Sequence, residues 1–355
     1  MVLTAAAAIT ALAVTSCGDA NNSEGGGDAA RPYEGVELVV TSFGGDWEDA
    51  YVEAVVEPFE DETGASVELV TLYSADAMTQ VTAQASAPQF DVVHFSGGQE
   101  AIAAEEGLIS PINSEELTNF PDLAEGVADS LEEGQGPAIQ VTPMGIIYHT
   151  EAIDEAPTTW SDILNDDYAG HVAFTDLTNA YGVQTLLAIN SELGGTVNDV
   201  TPGMEAIGGN VSNGDGIVVA TSPDLQAAFA QRNTWIAPYA QDYAFTLIEA
   251  GLPVEFTVPE SGTTVSYVTA NVVEGRENED AATALIDYSL TPEAQEIFAE
   301  SMRYTPVNTE VALSDEVENS VLAPEELDTV ERVDPHAIDE NERDWQDNWN
   351  RLITE

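Results

Sequence analysis

One stretch near the middle of the chain limits the choice of fold. Residues 142–176 read TPMGIIYHTEAIDEAPTTWSDILNDDYAGHVAFTD. They open on a β-like run, residues 144–149, in which Gly145 permits close approach of a neighbouring backbone. After Pro157, Thr158 or Thr159 can cap a helix that starts near Trp160, and Asp162 suits its positive end. Asp166 and Asp167 break that helix, Gly170 turns the chain, and HVAFTD reads as a second buried strand ending in an acid. The same order of strand, helix and strand appears earlier. VELVVTS (36–42) is a strand and Phe43-Gly44-Gly45-Asp46-Trp47 a turn. A helix over about 48–63 then puts Tyr51, Val55, Val56 and Phe59 on one face, Gly64 caps it, and 65–72 returns as a strand. This alternation predicts an α/β architecture.

Further units follow the same grammar. QFDVVHFS (89–96) is a strand, Gly97-Gly98 a turn, and a helix runs on to Glu106-Gly107-Leu108. Residues 182–193 form a helix ended by Gly194-Gly195, residues 217–220 a strand, and Ser222-Pro223-Asp224 caps a helix through Gln231. Next comes WIAPYAQDYAF (235–245), then a strand over 265–273 and helices after Asp280 and Pro292. Trp345 and Trp349, at i and i+4, share one face of a C-terminal helix, a spacing that favours packing.

The order of these pieces resembles the solute-binding proteins of ABC importers, in particular the branch that includes the spermidine/putrescine binders. The resemblance rests on SFGGDWEDAY followed by EPFEDETGASVE, on the DVV strand with its EGL helix end, and on the GIIY, PTTWSDI and YAGH passage. It is completed by GLPVEF, the TPEAQ helix start and YTPVN, so that it spans most of residues 36–308. It implies a two-lobed periplasmic-binding-protein-like fold of type II, with mixed sheets flanked by helices and hinge crossings between the lobes. The expected organisation is a lipoprotein signal peptide (1–17), a flexible tether (18–35), a first lobe from 36–140 and 262–303, a second lobe from 141–258, and a tail (306–355) on the second lobe.

Charge and the N-terminus refine this expectation. The chain carries 65 acids against 7 basic residues, a net charge of −58, and every basic residue is arginine. No phosphate-contacting surface can be built from so few cations, which excludes nucleic-acid binding. Acids spread evenly through a well-patterned sequence fit adaptation to high salt, where the screening length falls to roughly 3 Å at molar concentration. Residues 2–14 are an Ala-rich apolar run, too short to span a bilayer. Thr15-Ser16-Cys17-Gly18 follows and resembles a lipobox, which implies lipidation of Cys17 and anchorage to the outer face of the cytoplasmic membrane. As the single cysteine, Cys17 leaves the folded part without disulfides or thiol chemistry.

No catalytic motif is present, and the four histidines lack metal-ligand spacing. His94, alone on a strand, reads as a core residue. The expectation is therefore a binder, not an enzyme, without cofactor or metal, monomeric, working with an ABC permease and its ATPase subunit. By register with the family, Trp47, Asp49 and Ser96 fall at ligand contacts. Asp46, Asp176, Tyr239, Gln241, Asp242 and Tyr243 complete the candidate cleft, where aromatic faces and carboxylates suit an amine. Three positions at which polyamine binders place acids are Leu177, Ala180 and Val268 here. Their loss leaves an amino-acid derivative or opine as the alternative solute, ahead of ferric iron.

Overall fold

The computed structural model describes residues 31–124, 127, 131, 134–318, 320–322 and 333–354. The apolar leader, Cys17 and most of the tether lie outside the described residues. Among those described, no helix is long and apolar enough to cross a membrane.

The architecture hangs on strand β5 (Ala138–His149), which is buried along its whole length. Its first half, through Pro143, pairs antiparallel with β10 (Val265–Val273). From Met144 onward it pairs instead with β8 (Ile236–Ala240) and β9 (Val254–Thr257). One strand thus passes from one hydrophobic core into the other, and the change of partner sits at Pro143, which has no N–H to give a ladder. The expected strand over 144–149 is the second half of this longer element. Gly145 meets the close approach expected of it, since a Cβ there would lie 2.3 Å from the Phe256 ring and 2.5 Å from the Thr257 carbonyl.

On the first side, β1 (Glu37–Ser42) lies between β2 (Ser66–Thr71) and β3 (Val92–Ser96), with β10 beyond β3 and β4 (Ile109–Ser110) on β10. Helix α1 (Gly45–Tyr51) continues through a π turn (Val52–Val56) into α2 (Glu57–Thr63), and Gly64 ends it in the left-handed conformation at φ 78°. Helices α3 (Ser74–Gln84) and α4 (Gln99–Glu105) follow. Tyr51, Val55 and Phe59 join Leu38, Val40 and Val92 in this core. On the second side, β8 is followed by β6 (Val172–Thr175) and β7 (Gly216–Val219), packed by α5 (Ala180–Glu192), α6 (Thr201–Ser212), α7 (Ser222–Ala230) and α8 (Gln241–Glu249).

The helix expected at Trp160 is a single 3-10 stretch (Trp160–Leu164), closed by a capping box between Thr159 and Asp162. Its cap was legible; its length was not, because Asn165 caps a second 3-10 turn at once.

The chain returns to the first core through β10, α9 (Glu279–Ser289) and α10 (Pro292–Met302). Residues 304–308 stay there: Thr305 bridges to Val141, Asn308 bridges to Leu123, and Val307 is buried in the first core. The tail proper begins after them, with α11 (Asp315–Glu318) and α12 (Pro335–Thr354). Trp345 and Trp349 of α12 are buried in the second core. The same helix touches α4 of the first lobe, where His336 Nε2 lies 3.7 Å from Glu105.

Candidate functional site

The carboxyl ends of β1 and β3, the switch of partner in β5 and the start of α8 converge on one region. Strand β8 runs into α8 without a loop, so Asp242 sits in the first turn of a helix, where unpaired N–H groups favour an acid. Its Oδ1 accepts from Thr142 Oγ1 at 3.1 Å and its Oδ2 from Tyr304 OH at 3.4 Å. Thr142 belongs to the first-lobe half of β5 and Tyr304 follows α10, so one carboxylate joins both lobes at the hinge.

Around it stand tyrosines. The rings of Tyr181 and Tyr239 lie 4.8 Å apart edge to face, and those of Tyr239 and Tyr243 are 4.8 Å apart and tilted. Burial pushes the Asp242 carboxyl up, and the hydrogen bonds from Thr142, the Tyr243 amide and Tyr304 do not fully offset it. Burial likewise raises the Tyr304 and Tyr181 hydroxyls, with the Asp242 charge adding to both. Among the described residues no cation forms an ion pair with Asp242. A half-buried carboxylate with no ion-pair partner among the described residues, beside π faces, can accept a positive charge.

The other expected residues divide. Ser96, at the end of β3, faces Ser266 with 3.4 Å between the hydroxyls, and its N–H donates to Ser74 Oγ. Next to it, a Cβ on Gly97 would lie 3.6 Å from Ala180 Cβ, so the first-lobe loop faces the start of α5 across the cleft. Tyr239, Asp242 and Tyr243 are brought together; Asp46 and Asp49 are exposed on α1.

Trp47 is turned inward, only 6% exposed, with its Nε1 donating to Gln140 Oε1 at 2.6 Å and Tyr51 and His94 packed beside it. The aromatic groups open to solvent at that edge are Phe43 and Tyr73, stacked 6.5 Å apart, with Tyr73 68% exposed. Asp176 is taken up internally. Its Oδ1 accepts from the N–H and hydroxyl of Thr178, and its Oδ2 from Trp349 Nε1 at 3.1 Å. Burial works to raise this carboxyl, but those donors win and hold it below the ordinary range. Gln241 lines a separate cavity of about 490 Å3 with Phe245 and Arg303.

A larger cavity, about 730 Å3, lies beside the return crossing between Trp160, Glu192 and Ser261. Its acid is already used: Glu192 accepts from the Trp160 and Ser161 amides and from the Ser161 and Ser261 hydroxyls. Its amide is used too, because Asn190 bonds Thr196, Asp199 and Gly203. Both groups are thus engaged within the protein. Among the described residues no three His, Cys, Asp or Glu side chains gather as metal ligands.

Residues 54–325 match the family of bacterial extracellular solute-binding proteins. The chain belongs to this family. The spermidine/putrescine-binding periplasmic protein of Escherichia coli is 24% identical over 294 residues, covering 80% of this chain and 83% of that one. The γ-aminobutyric acid-binding protein of Pseudomonas aeruginosa is 24% identical over 290 residues, 79% of each chain. Among solved structures, the spermidine/putrescine transporter substrate-binding protein of Streptococcus pneumoniae superposes with a TM-score of 0.74 at 20% identity, covering 90% of this chain and all of that one. The fold is thus the two-lobed periplasmic-binding-protein fold that the order of motifs implied. Family members bind small solutes for ABC transporters, and the family's extracellular character places its members outside the cytoplasmic membrane.

Proposed function

We propose that this protein captures a small amine-type solute between its lobes and delivers it to the permease of an ABC importer, driven by that importer's ATPase subunit. One observation carries the ligand class: Asp242, half-buried, bridging both lobes through Thr142 and Tyr304, and facing no cation among the described residues. An ammonium would supply the missing charge, and Tyr181, Tyr239 and Tyr243 would supply cation–π faces. Ser96 stands on the opposite lobe to meet the rest of the solute. The ligands named for two of the relatives, polyamines and γ-aminobutyric acid, share an ammonium, which supports the same class. The chain acts as a binder without catalysis, as a monomer, held to the outer face of the cytoplasmic membrane by a lipid on Cys17 and working in high salt.

The second reading, an amino-acid derivative or opine, is favoured by the apolar residues at the three positions where polyamine binders carry acids. Leu177 is buried in the second core, Val268 in the first, and Ala180 faces Gly97.

A thermal-shift screen in molar potassium chloride tests the proposal, using amines, amino acids, opines, sugars and ferric citrate. A ligand at a hundredfold over its dissociation constant adds about 2.7 kcal/mol, a shift of roughly 4 °C for a chain of this size. The expected shifts come only from compounds bearing an ammonium. A shift with sugars or ferric citrate alone overturns the amine class.

A further inference from the structure

Two unlike polar groups stand along β5. Asp242 is held by Thr142, and Gln140, only 1% exposed, lies two residues before that threonine. The indole N–H of Trp47 donates to Gln140 Oε1, and because an indole is a donor only, that bond fixes which end of the amide is oxygen. The amide nitrogen Nε2 is therefore held in a set place, buried, with no hydrogen-bond partner among the described residues.

The sheet register shows what lies beside it. Gln140 is opposite Val268 on β10, and Val268 is opposite Ser96 on β3, so the three side chains form one row on one face. Ser266, whose hydroxyl meets that of Ser96, is opposite Thr142, which bonds Asp242. Along this face a donor amide and two hydroxyls lead, within about 7 Å of strand, to the threonine that holds the acid. The position that would answer a second positive charge is Val268, which is apolar.

We infer that Gln140 is a specificity-determining ligand residue, and that the solute carries a single ammonium for Asp242 and a hydrogen-bond acceptor for Gln140 Nε2. An amino-acid-like zwitterion or an amino alcohol meets both groups; a diamine does not. Its second ammonium would bring N–H donors against the amide N–H. Trp47 is the positioning residue that sets the amide. This inference rests on the amine reading of Asp242 and narrows it.

Calorimetric titration of the full chain in molar potassium chloride with four solutes of one carbon length tests it. They are γ-aminobutyrate, aminobutanol, butylamine and putrescine. In the wild type, γ-aminobutyrate and aminobutanol bind about tenfold or more tighter than butylamine and putrescine, the effect of one buried hydrogen bond. Gln140→Glu turns the donor end into an acid, so it weakens γ-aminobutyrate and strengthens putrescine. Gln140→Met, for use if the glutamate variant does not fold, brings γ-aminobutyrate down to the level of butylamine. Putrescine binding as tightly as γ-aminobutyrate in the wild type overturns the inference while leaving the amine reading intact. So does a Gln140 variant that leaves the order of the four unchanged. If none of the four binds to a protein that melts cooperatively, the amine reading falls, and this inference falls with it.

Discussion

Substituting Asp242 with asparagine keeps the size of the side chain and one acceptor oxygen, puts an NH2 in place of the other, and removes the charge. Stability and binding should then move in opposite directions. In the ligand-free protein, burial raises this carboxyl above its unfolded value. Between the two values the folded state binds more protons than the unfolded state, so stability falls as pH rises through that window, and the loss is complete once pH exceeds the folded-state value. Asparagine has no such loss. The ligand-free variant should melt at or above the wild-type temperature at neutral pH, and the difference should vanish in acid, where Asp242 is protonated.

Binding goes the other way. An ammonium contributes a charge-assisted hydrogen bond to the carboxylate, about 1.5–3 kcal/mol. Its loss weakens affinity roughly 10- to 150-fold, at about 1.4 kcal/mol per tenfold. Because the contact is partly buried, molar salt should reduce this only in part. Thermal melts of the ligand-free proteins across neutral and mildly acid pH, with calorimetric titration of the amine, read both effects. A variant that melts well below the wild type yet keeps its affinity would refute the reasoning. Asp242 would then be a hinge brace tying Thr142 to Tyr304, and no ligand group.

Three further outcomes are expected. Burial pushes the His94 imidazole down from 6.5 to about 4, against the Thr41 carbonyl that supports its charged form. The unfolded chain therefore protonates first, and stability worth up to about 3 kcal/mol is lost as pH falls from the upper value to the lower; His94→Phe should flatten that part of the acid melt, and an unchanged acid limb would count against it. Gly145→Ala places a methyl group inside the Phe256 ring and the Thr257 carbonyl, which should cost about 1–3 kcal/mol or more and lower the denaturation midpoint; a midpoint equal to the wild type's would show that β9 yields freely. The net charge of −58 should make the melting temperature climb steeply between dilute buffer and molar salt as repulsion is screened, and a melt independent of salt would remove the halophilic proposal.

The path of the chain was legible wherever apolar periodicity was clean. Residues 144–149 read as a strand because they are continuously apolar. Residues 138–143 did not, since Gln140, Thr142 and Pro143 interrupt the pattern, yet they form the first-lobe half of the same strand. Those interruptions lie at the change of strand partner, and Thr142 among them holds Asp242. The π turn at Val52–Val56 also left no local signature. The inward turn of Trp47, by contrast, was available. A helix that buries Tyr51 and Val55 buries the residue four positions before them, and this phase outweighs register with relatives in deciding where the indole points.

Long-range partners account for what remained hidden. Asp176 ends its strand as an acid at the rim of the cleft, which made it a reasonable ligand group. Thr178, two residues on, takes one of its oxygens, but the other is taken by an indole 173 residues later in the chain, which no window around Asp176 contains. Tyr304 was missed for the mirror-image reason: it lies 62 residues from Asp242, in a segment that read only as a shared motif. The two cases together show how this cleft is divided. The C-terminal helix donates an indole N–H to the acid at the rim through Trp349, while the segment after α10 delivers a hydroxyl to the acid at the hinge. Donors hold the rim carboxyl below its ordinary range, and burial holds the hinge carboxyl above it. In the proposed function the hinge carboxylate is the one that answers a cation, and because both lobes hold it, filling that place would bear directly on how the lobes meet.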